Sequence, residues 1–207
     1  MNPDQLIEGL TWFVAFIFST TLHEAGHAFA AWKLGDPTAY EGGQVSLNPL
    51  PHIQREPVGM VLVPILSFAL NGWMMGWASA PYDPTWAHRY PKRAALMAAA
   101  GPAANLLLVV LSGLAIRAGV ESRGLLAILL ILFYLNLLLF VFNLLPVPPL
   151  DGSAILPMFM GDDAARRYRE FLHQPMFSLL GLLLAWKVFP YLFRPIQAAA
   201  VSLLFPG

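Results

Sequence analysis

Four long apolar segments constrain this fold more than any other feature of the sequence. They cover residues 6–34, 93–117, 124–144 and 174–190, and a helix needs about 20 residues to cross the hydrocarbon core of a membrane. Only 12% of the 207 residues are charged, whereas soluble domains average about 25%. We therefore expect an all-α polytopic membrane protein that forms a single domain over residues 1–207.

Two further apolar stretches are less suited to crossing a membrane. Residues 57–81 are interrupted by Pro64, Gly72 and Gly76, which predicts a re-entrant segment rather than a span. Residues 196–205 follow two prolines and are too short to cross, so we expect them at an interface or packed on the bundle.

Two polar connections are candidates for extended backbone. Residues 44–47 alternate in polarity between turn-forming glycines and prolines, which predicts a small hairpin or a short strand. A second extended stretch is expected over residues 78–86. Irregular backbone near a membrane needs protein or water to satisfy its hydrogen bonds, so both pieces are expected to line a cavity.

Composition also limits the partners and cofactors. The formal net charge is zero and no long basic run occurs, which argues against nucleic acid and leaves the lipid bilayer as the expected surroundings. The sequence contains no cysteine, so disulfides and thiolate metal ligands are excluded. Any bound metal must be held by His, Asp or Glu.

The first apolar segment contains the pattern H-E-x-x-H at His23, Glu24 and His27. On a helix the two histidines lie one turn apart on the same face and can hold one metal ion, and the glutamate can act as general base toward a metal-bound water. Chance gives about 0.003 such matches in a chain of this composition. The alternative is that neighbouring helices satisfy the histidines and that Glu24 pairs with one of them.

A zinc site usually takes a third protein ligand, and Asp151 is the acidic residue that lies within an apolar run. It follows three prolines that end a helix, and Gly152 lets the backbone turn behind the carboxylate. The alternative role for Asp151 is the N-cap of a helix beginning at Ser153. Three other histidines, at positions 52, 88 and 173, lie in expected loops and are interpreted as surface or interfacial residues.

The motif Gly101-Pro-Ala-Ala-Asn105 indicates close helix packing at Gly101. Asn105 is then a candidate for contacting substrate or for orienting a ligand or a loop, and a role in packing alone is about equally favoured.

Together these motifs resemble the site-2 proteases, intramembrane zinc metalloproteases that cut transmembrane segments of other proteins. The resemblance rests on His23 to His27, on Gly101 to Asn105, and on the stretch from Asn143 to Gly152, in that order along about 150 residues. It is to the short form without an inserted regulatory domain. It implies one Zn²⁺ held by His23, His27 and Asp151, Glu24 as the base, and Asn143 as a substrate-contacting asparagine.

Membrane topology gives an independent test of this metal site. If residues 57–81 cross the membrane, Asp151 emerges on the side opposite the histidines. If they are re-entrant, Asp151 arrives beside them. The second arrangement also places eight basic residues on one side, which the positive-inside rule makes cytoplasmic; they are Lys33, Arg55, Arg89, Lys92, Arg93, Arg166, Arg167 and Arg169. We therefore expect a prokaryotic plasma-membrane protein with its N-terminus outside and its site toward the cytoplasmic half.

Two other functions use the same residues. A metal-binding transporter needs a transient ion site, and a non-catalytic scaffold for membrane helices needs no site at all. Neither requires a general base at Glu24, so the sequence favours hydrolysis of peptide bonds in a transmembrane protein substrate.

Overall fold

The computed structural model describes the backbone of residues 3–172 and 174–205, and within this part of the chain it contains helices and no strands. The ten α-helices are α1 Pro3–Leu34, α2 Thr38–Glu41, α3 Leu50–Arg55, α4 Val63–Asn71, α5 Pro84–Arg89, α6 Pro91–Arg117, α7 Arg123–Asn143, α8 Asp151–Ile155, α9 Asp162–Leu172 and α10 Pro175–Leu204. A π-helical turn, Val58–Leu62, precedes α4, and a 3₁₀ turn, Leu156–Phe159, follows α8.

Four of these helices are long and apolar enough to cross a membrane, which confirms the expected all-α fold with four candidate spans. They are Gln5–Leu34, Pro91–Arg117, Arg123–Asn143 and Met176–Leu204. The fourth was expected to end near residue 190, but α10 continues through Pro190 and Pro195 to Leu204. Residues 196–205 are therefore not a separate interfacial piece. They are the end of α10, and Ala200 and Leu204 pack on the bundle against the cluster that contains Phe133, which was the other expectation for them. Proline removes one N–H from a helix, and in an apolar helix the remaining backbone bonds hold the conformation.

Helices α1, α6 and α7 form the centre of the bundle, and each runs antiparallel to the one before it in this order. Leu34 at the end of α1 accepts a hydrogen bond from Nη1 of Arg93 at the start of α6, at 3.2 Å. Farther along the pair, a Cβ on Gly26 of α1 would lie 2.9 Å from the carbonyl oxygen of Ala100. Small residues on α6 allow this close approach, so the two backbones pack with little between them.

Residues 37–83 form an excursion from the end of α1 that returns to the same place. The buried carboxylate of Asp36 accepts hydrogen bonds from N–H and Oγ1 of Thr38 and, at 2.8 Å, from the N–H of Asp83. These bonds close the excursion at both ends, so α6 starts beside the point where α1 finishes.

Within this excursion the helical part is short and the chain then turns back. The helical segment Val58–Asn71 is about 21 Å long at about 1.5 Å per residue, less than a hydrocarbon core of about 30 Å. After Gly72, whose φ is +73°, the chain returns so that the N–H of Trp77 donates to the carbonyl of Gly59 at 3.1 Å.

The strand or hairpin expected over residues 44–47 is not found; these residues form bends. The backbone N–H of Gln44 donates to Ala39 in α2, and the carbonyl of Ser46 accepts from His52, so local contacts replace cross-strand pairing. The stretch expected to be extended over 78–86 is irregular as far as Asp83, and α5 then begins with Asp83 as its N-cap.

The Asp36 contacts give a first prediction. Replacing Asp36 by Ala leaves two N–H donors and one hydroxyl without their acceptor, and we expect the free energy of unfolding in detergent to fall by about 2–3 kcal/mol. Thermal unfolding measures this change. Asp163, an exposed partner of Arg166, is the control, and its replacement by Ala should cost less than about 0.5 kcal/mol. Equal effects of the two substitutions would contradict the role given to Asp36.

Candidate metal centre

The structure brings His23, His27 and Asp151 together although 128 positions separate the first and last in sequence. Nε2 of His23 lies 3.0 Å from Nε2 of His27 and 3.1 Å from Oδ2 of Asp151. Nε2 of His27 lies 3.3 Å from Oδ1 of Asp151. In the described part of the chain this is the one group of three His, Asp or Glu side chains close enough to share an ion.

Each histidine is held by its other ring nitrogen. Nδ1 of His27 lies 2.8 Å from the carbonyl oxygen of Met97, which can only accept, so Nδ1 carries the proton and donates. Nδ1 of His23 lies 2.5 Å from Oδ1 of Asn105. With both protons on Nδ1, both Nε2 atoms present lone pairs toward the same point. Such an outer hydrogen bond is typical of metal-binding histidines.

The three ligand atoms fit a tetrahedral cation. Ligands about 2.0–2.1 Å from zinc at tetrahedral angles lie about 3.3 Å apart, and the observed separations of 3.0, 3.1 and 3.3 Å are close to that value. Two imidazole lone pairs and a carboxylate at these distances repel one another unless a cation lies between them. His and Asp ligands without cysteine are suitable for Zn²⁺.

Glu24 lies on the same turn of α1 as the histidines. It is 6% exposed and makes no hydrogen bond or ion pair with the described residues. A buried carboxylate without such a partner is costly in an apolar setting. The pairing between Glu24 and a histidine that the sequence left open is not found.

Asp151 owes its position to the turns before it and to the glycine after it. Helix α7 ends at Asn143, and residues 144–150 form successive turns that lead to α8, which begins at Asp151 itself. Its carboxylate faces the two imidazoles and caps no helix, so the N-cap alternative is wrong. Gly152 is helical and needs no positive φ; a Cβ there would lie 2.3 Å from the carbonyl oxygen of Leu144, and this close approach requires glycine.

Gly101 lies against the Nε2 atoms of both histidines. A Cβ at this position would lie 2.3 Å from Nε2 of His27 and 2.6 Å from Nε2 of His23. The close packing expected from the motif at 101–105 is therefore found, and it occurs at the candidate metal centre itself.

The two predicted asparagines lie in different surroundings. Asn105 is fully buried, and its amide contacts His23 and Asn136, so its contacts fit the orienting role rather than contact with a substrate. Asn143 is partly buried at the end of α7, and its side chain makes no hydrogen bond with the described residues. Sequence reasoning missed Asn136; an asparagine within the apolar segment 124–144 was the signal that could have found it.

The two other described histidines, His52 and His88, are not part of this cluster. His52 was interpreted as a surface residue, but it is 1% exposed, and its Nε2 lies 3.1 Å from the carbonyl oxygen of Ser46. Helix α3 turns the ring inward, so that interpretation is wrong. His88 is exposed as expected. His173 lies outside the described residues.

Comparison with known proteins shows which family the chain resembles. The family model for peptidase family M50 matches residues 110–184. YwhC of Bacillus subtilis is 36% identical over 153 residues, which are 69% of this chain and 66% of that protein. Rip2 of Mycobacterium tuberculosis is 34% identical over 172 residues, which are 82% and 65% of the two chains. Both are named as candidate zinc metalloproteases.

The chain belongs to peptidase family M50. This confirms the resemblance to the site-2 proteases, which make up that family. The family and the four apolar helices identify an integral membrane protein with bacterial relatives. The chain spans slightly less than two thirds of the length of the relatives just described. No solved structure matches it.

Gly101 gives a prediction for this M50 site. We expect Gly101→Ala to displace the imidazoles and to lower the free energy of unfolding by about 3 kcal/mol, because the added methyl group meets atoms that Met97 and Asn105 hold in place. Thermal unfolding in detergent measures this. Gly113→Ala on the same helix is the control, since its methyl group would lie 3.2 Å from the Leu204 side chain and 3.3 Å from the Phe133 ring, much less close than at Gly101. A Gly101 variant as stable as the Gly113 variant would contradict the packing described.

Proposed function

We propose that this chain is an intramembrane zinc endopeptidase that hydrolyses peptide bonds in or near transmembrane segments of other membrane proteins. The observation that carries the proposal is the convergence of two Nε2 lone pairs and one carboxylate, at separations of 3.0–3.3 Å, beside Glu24, whose carboxylate no described residue pairs. Membership of peptidase family M50 supports the reaction class.

In this proposal His23, His27 and Asp151 hold one Zn²⁺. When bound, zinc supplies the Lewis acidity that makes water nucleophilic at neutral pH. Glu24 acts as general base and takes the proton that water loses as it attacks the peptide carbonyl. The same carboxyl group can then return this proton to the leaving nitrogen. No described residue forms a hydrogen bond or an ion pair with Glu24, which leaves its carboxylate free for both transfers.

Substrate backbone must be exposed before it can be cut, since the carbonyls of a transmembrane helix are hydrogen-bonded. We propose that Asn143 binds the unwound segment through its side-chain amide, because this amide makes no hydrogen bond with the described residues and the segment from 144 links it to Asp151. The irregular stretches at 42–48 and 78–84 are candidates for pairing with that segment along its backbone.

The excursion closed at Asp36 supports a topology in which residues 57–81 are re-entrant. Because α1 and α6 meet at Leu34 and Arg93, the chain between them returns to the side from which it left. We propose that this side is cytoplasmic, that the N-terminus lies outside the plasma membrane, and that the site is reached from the cytoplasmic half. The excess of Lys and Arg on this side supports the orientation.

Metal content tests the centre without knowledge of the substrate. We expect about one zinc per chain in the purified protein and loss of zinc in His23→Ala and Asp151→Ala, because two ligands hold zinc poorly. Elemental analysis measures this. The exposed His88, replaced by Ala, is the control and should leave the zinc content unchanged. Zinc that persists in Asp151→Ala would rule out the three-ligand site.

A substitution of Glu24 distinguishes catalysis from zinc binding. We expect Glu24→Gln to retain zinc and to lower the rate of cleavage by about 100-fold or more, since an amide cannot accept the proton. Mass spectrometry of fragments from single-span proteins reconstituted in liposomes measures the rate, with wild type and His88→Ala as the active controls. Unchanged cleavage by the Gln variant would show that Glu24 is not the general base, and it would not affect the assignment of the metal ligands.

The absence of cysteine makes topology simple to measure. A single cysteine replacing Glu121, in the loop between α6 and α7, should react with a membrane-impermeant maleimide in intact cells. One replacing Arg167 on α9 should react only after permeabilisation. The unmodified chain, which has no thiol, gives the background. The reverse pattern would invert the proposed orientation.

A further inference from the structure

Asn136 is the one asparagine within the middle of α7, and its side chain is fully buried among apolar neighbours. It makes three hydrogen bonds: Nδ2 donates to the carbonyl of Leu132 at 2.8 Å and to Oγ of Ser19 at 2.9 Å, and Oδ1 accepts from Nδ2 of Asn105 at 2.8 Å. A buried amide in an apolar helix is costly unless it is satisfied in this way. Its partners connect it to the candidate metal centre.

The direction of every bond in this chain follows from one backbone carbonyl. The oxygen of Leu132 can only accept, so the group of Asn136 that faces it must be the amide nitrogen. The oxygen of Asn136 therefore faces Asn105 and accepts from its nitrogen. That leaves the oxygen of Asn105 toward His23, where it can only accept from Nδ1–H.

We propose that Asn136 is a positioning residue that acts through Asn105 to fix the tautomer and the ring orientation of His23. This inference rests on the proposed function, since it assigns Nε2 of His23 to the metal. The chain of bonds joins Ser19 and His23 on α1, Asn105 on α6 and Asn136 on α7. The lone pair of His23 is thus aimed by the relative placement of three helices.

The use of two neutral amides has an electrostatic reason. Many metal-binding histidines donate to a carboxylate. Here the two positive charges of Zn²⁺ are already balanced by the carboxylates of Asp151 and Glu24. A third carboxylate in place of Asn105 would add an uncompensated charge in surroundings of low dielectric constant. An amide gives the same acceptor without that charge, but its own N–H group then needs an acceptor, which Asn136 supplies.

The test is zinc affinity, measured in detergent by competition with a chromophoric chelator. Asn136→Leu keeps the branching and the number of side-chain heavy atoms and removes the acceptor of Asn105; we expect zinc to bind about tenfold more weakly. Ser112→Ala is the matched control, because Ser112 is a buried polar residue of α6 whose hydroxyl contacts only the backbone of its own helix. A wild-type affinity in Asn136→Leu would overturn the inference.

A double-mutant cycle distinguishes positioning from a general loss of packing. Asn105→Leu should also weaken zinc binding, by about tenfold or more. If Asn136 acts through Asn105, adding Asn136→Leu to that variant should change the affinity by less than about twofold. A full tenfold further loss would overturn the inference. If the wild-type chain binds no zinc, both the proposed function and the role of Asn136 are overturned. An unexpected zinc affinity in the variants alone overturns the role of Asn136 and leaves the proposed function intact.

Asn136→Asp provides a second test of the inference if the Leu variant does not fold. In this buried position the introduced carboxyl group is expected to be neutral, so one oxygen accepts from Asn105 and its O–H donates to Leu132. We expect zinc affinity within about threefold of wild type. A tenfold loss in this variant would show that the acceptor for Asn105 is not what matters and would overturn the inference.

Discussion

The mutual repulsion of three lone-pair donors is the constraint on which the rest of this structure depends. Two buried imidazoles and a partly buried carboxylate, within 3.3 Å of one another in an apolar bundle, form an arrangement that needs a cation. Each donor is therefore held by something outside the cluster: a carbonyl of α6 for His27, an amide chain for His23, and the rigid turn before α8 for Asp151. The fold can be understood as the means of keeping these three groups in place.

Close packing of α1 against α6 makes this possible. The glycines at 26 and 101 and the alanines between residues 94 and 104 bring the two backbones near enough for α6 to contact both histidines. In a membrane, where apolar side chains gain little by leaving lipid, such small-residue contacts and interhelical hydrogen bonds provide much of the association energy. The helices that position the ligands are thus the helices that pack most tightly.

Much of this could be predicted from sequence, and the exceptions have physical reasons. The spans, the histidine pair and Asp151 were predictable because apolar length, one-turn spacing and a carboxylate in an apolar run are local patterns. The inward turn of His52 and the role of Asn136 depend on residues distant in sequence. The passage of α10 through two prolines depends on an apolar environment that propensities measured in water do not represent.

The closure of the excursion at Asp36 and Asp83 has a consequence for how such a chain can vary. Because its two ends meet beside Leu34 and Arg93, a residue inserted or deleted between them is absorbed locally and does not shift α1 against α6. Residues 37–83 can therefore vary in length and sequence while the spanning helices keep their relative positions and α1 and α6 keep their places at the metal centre.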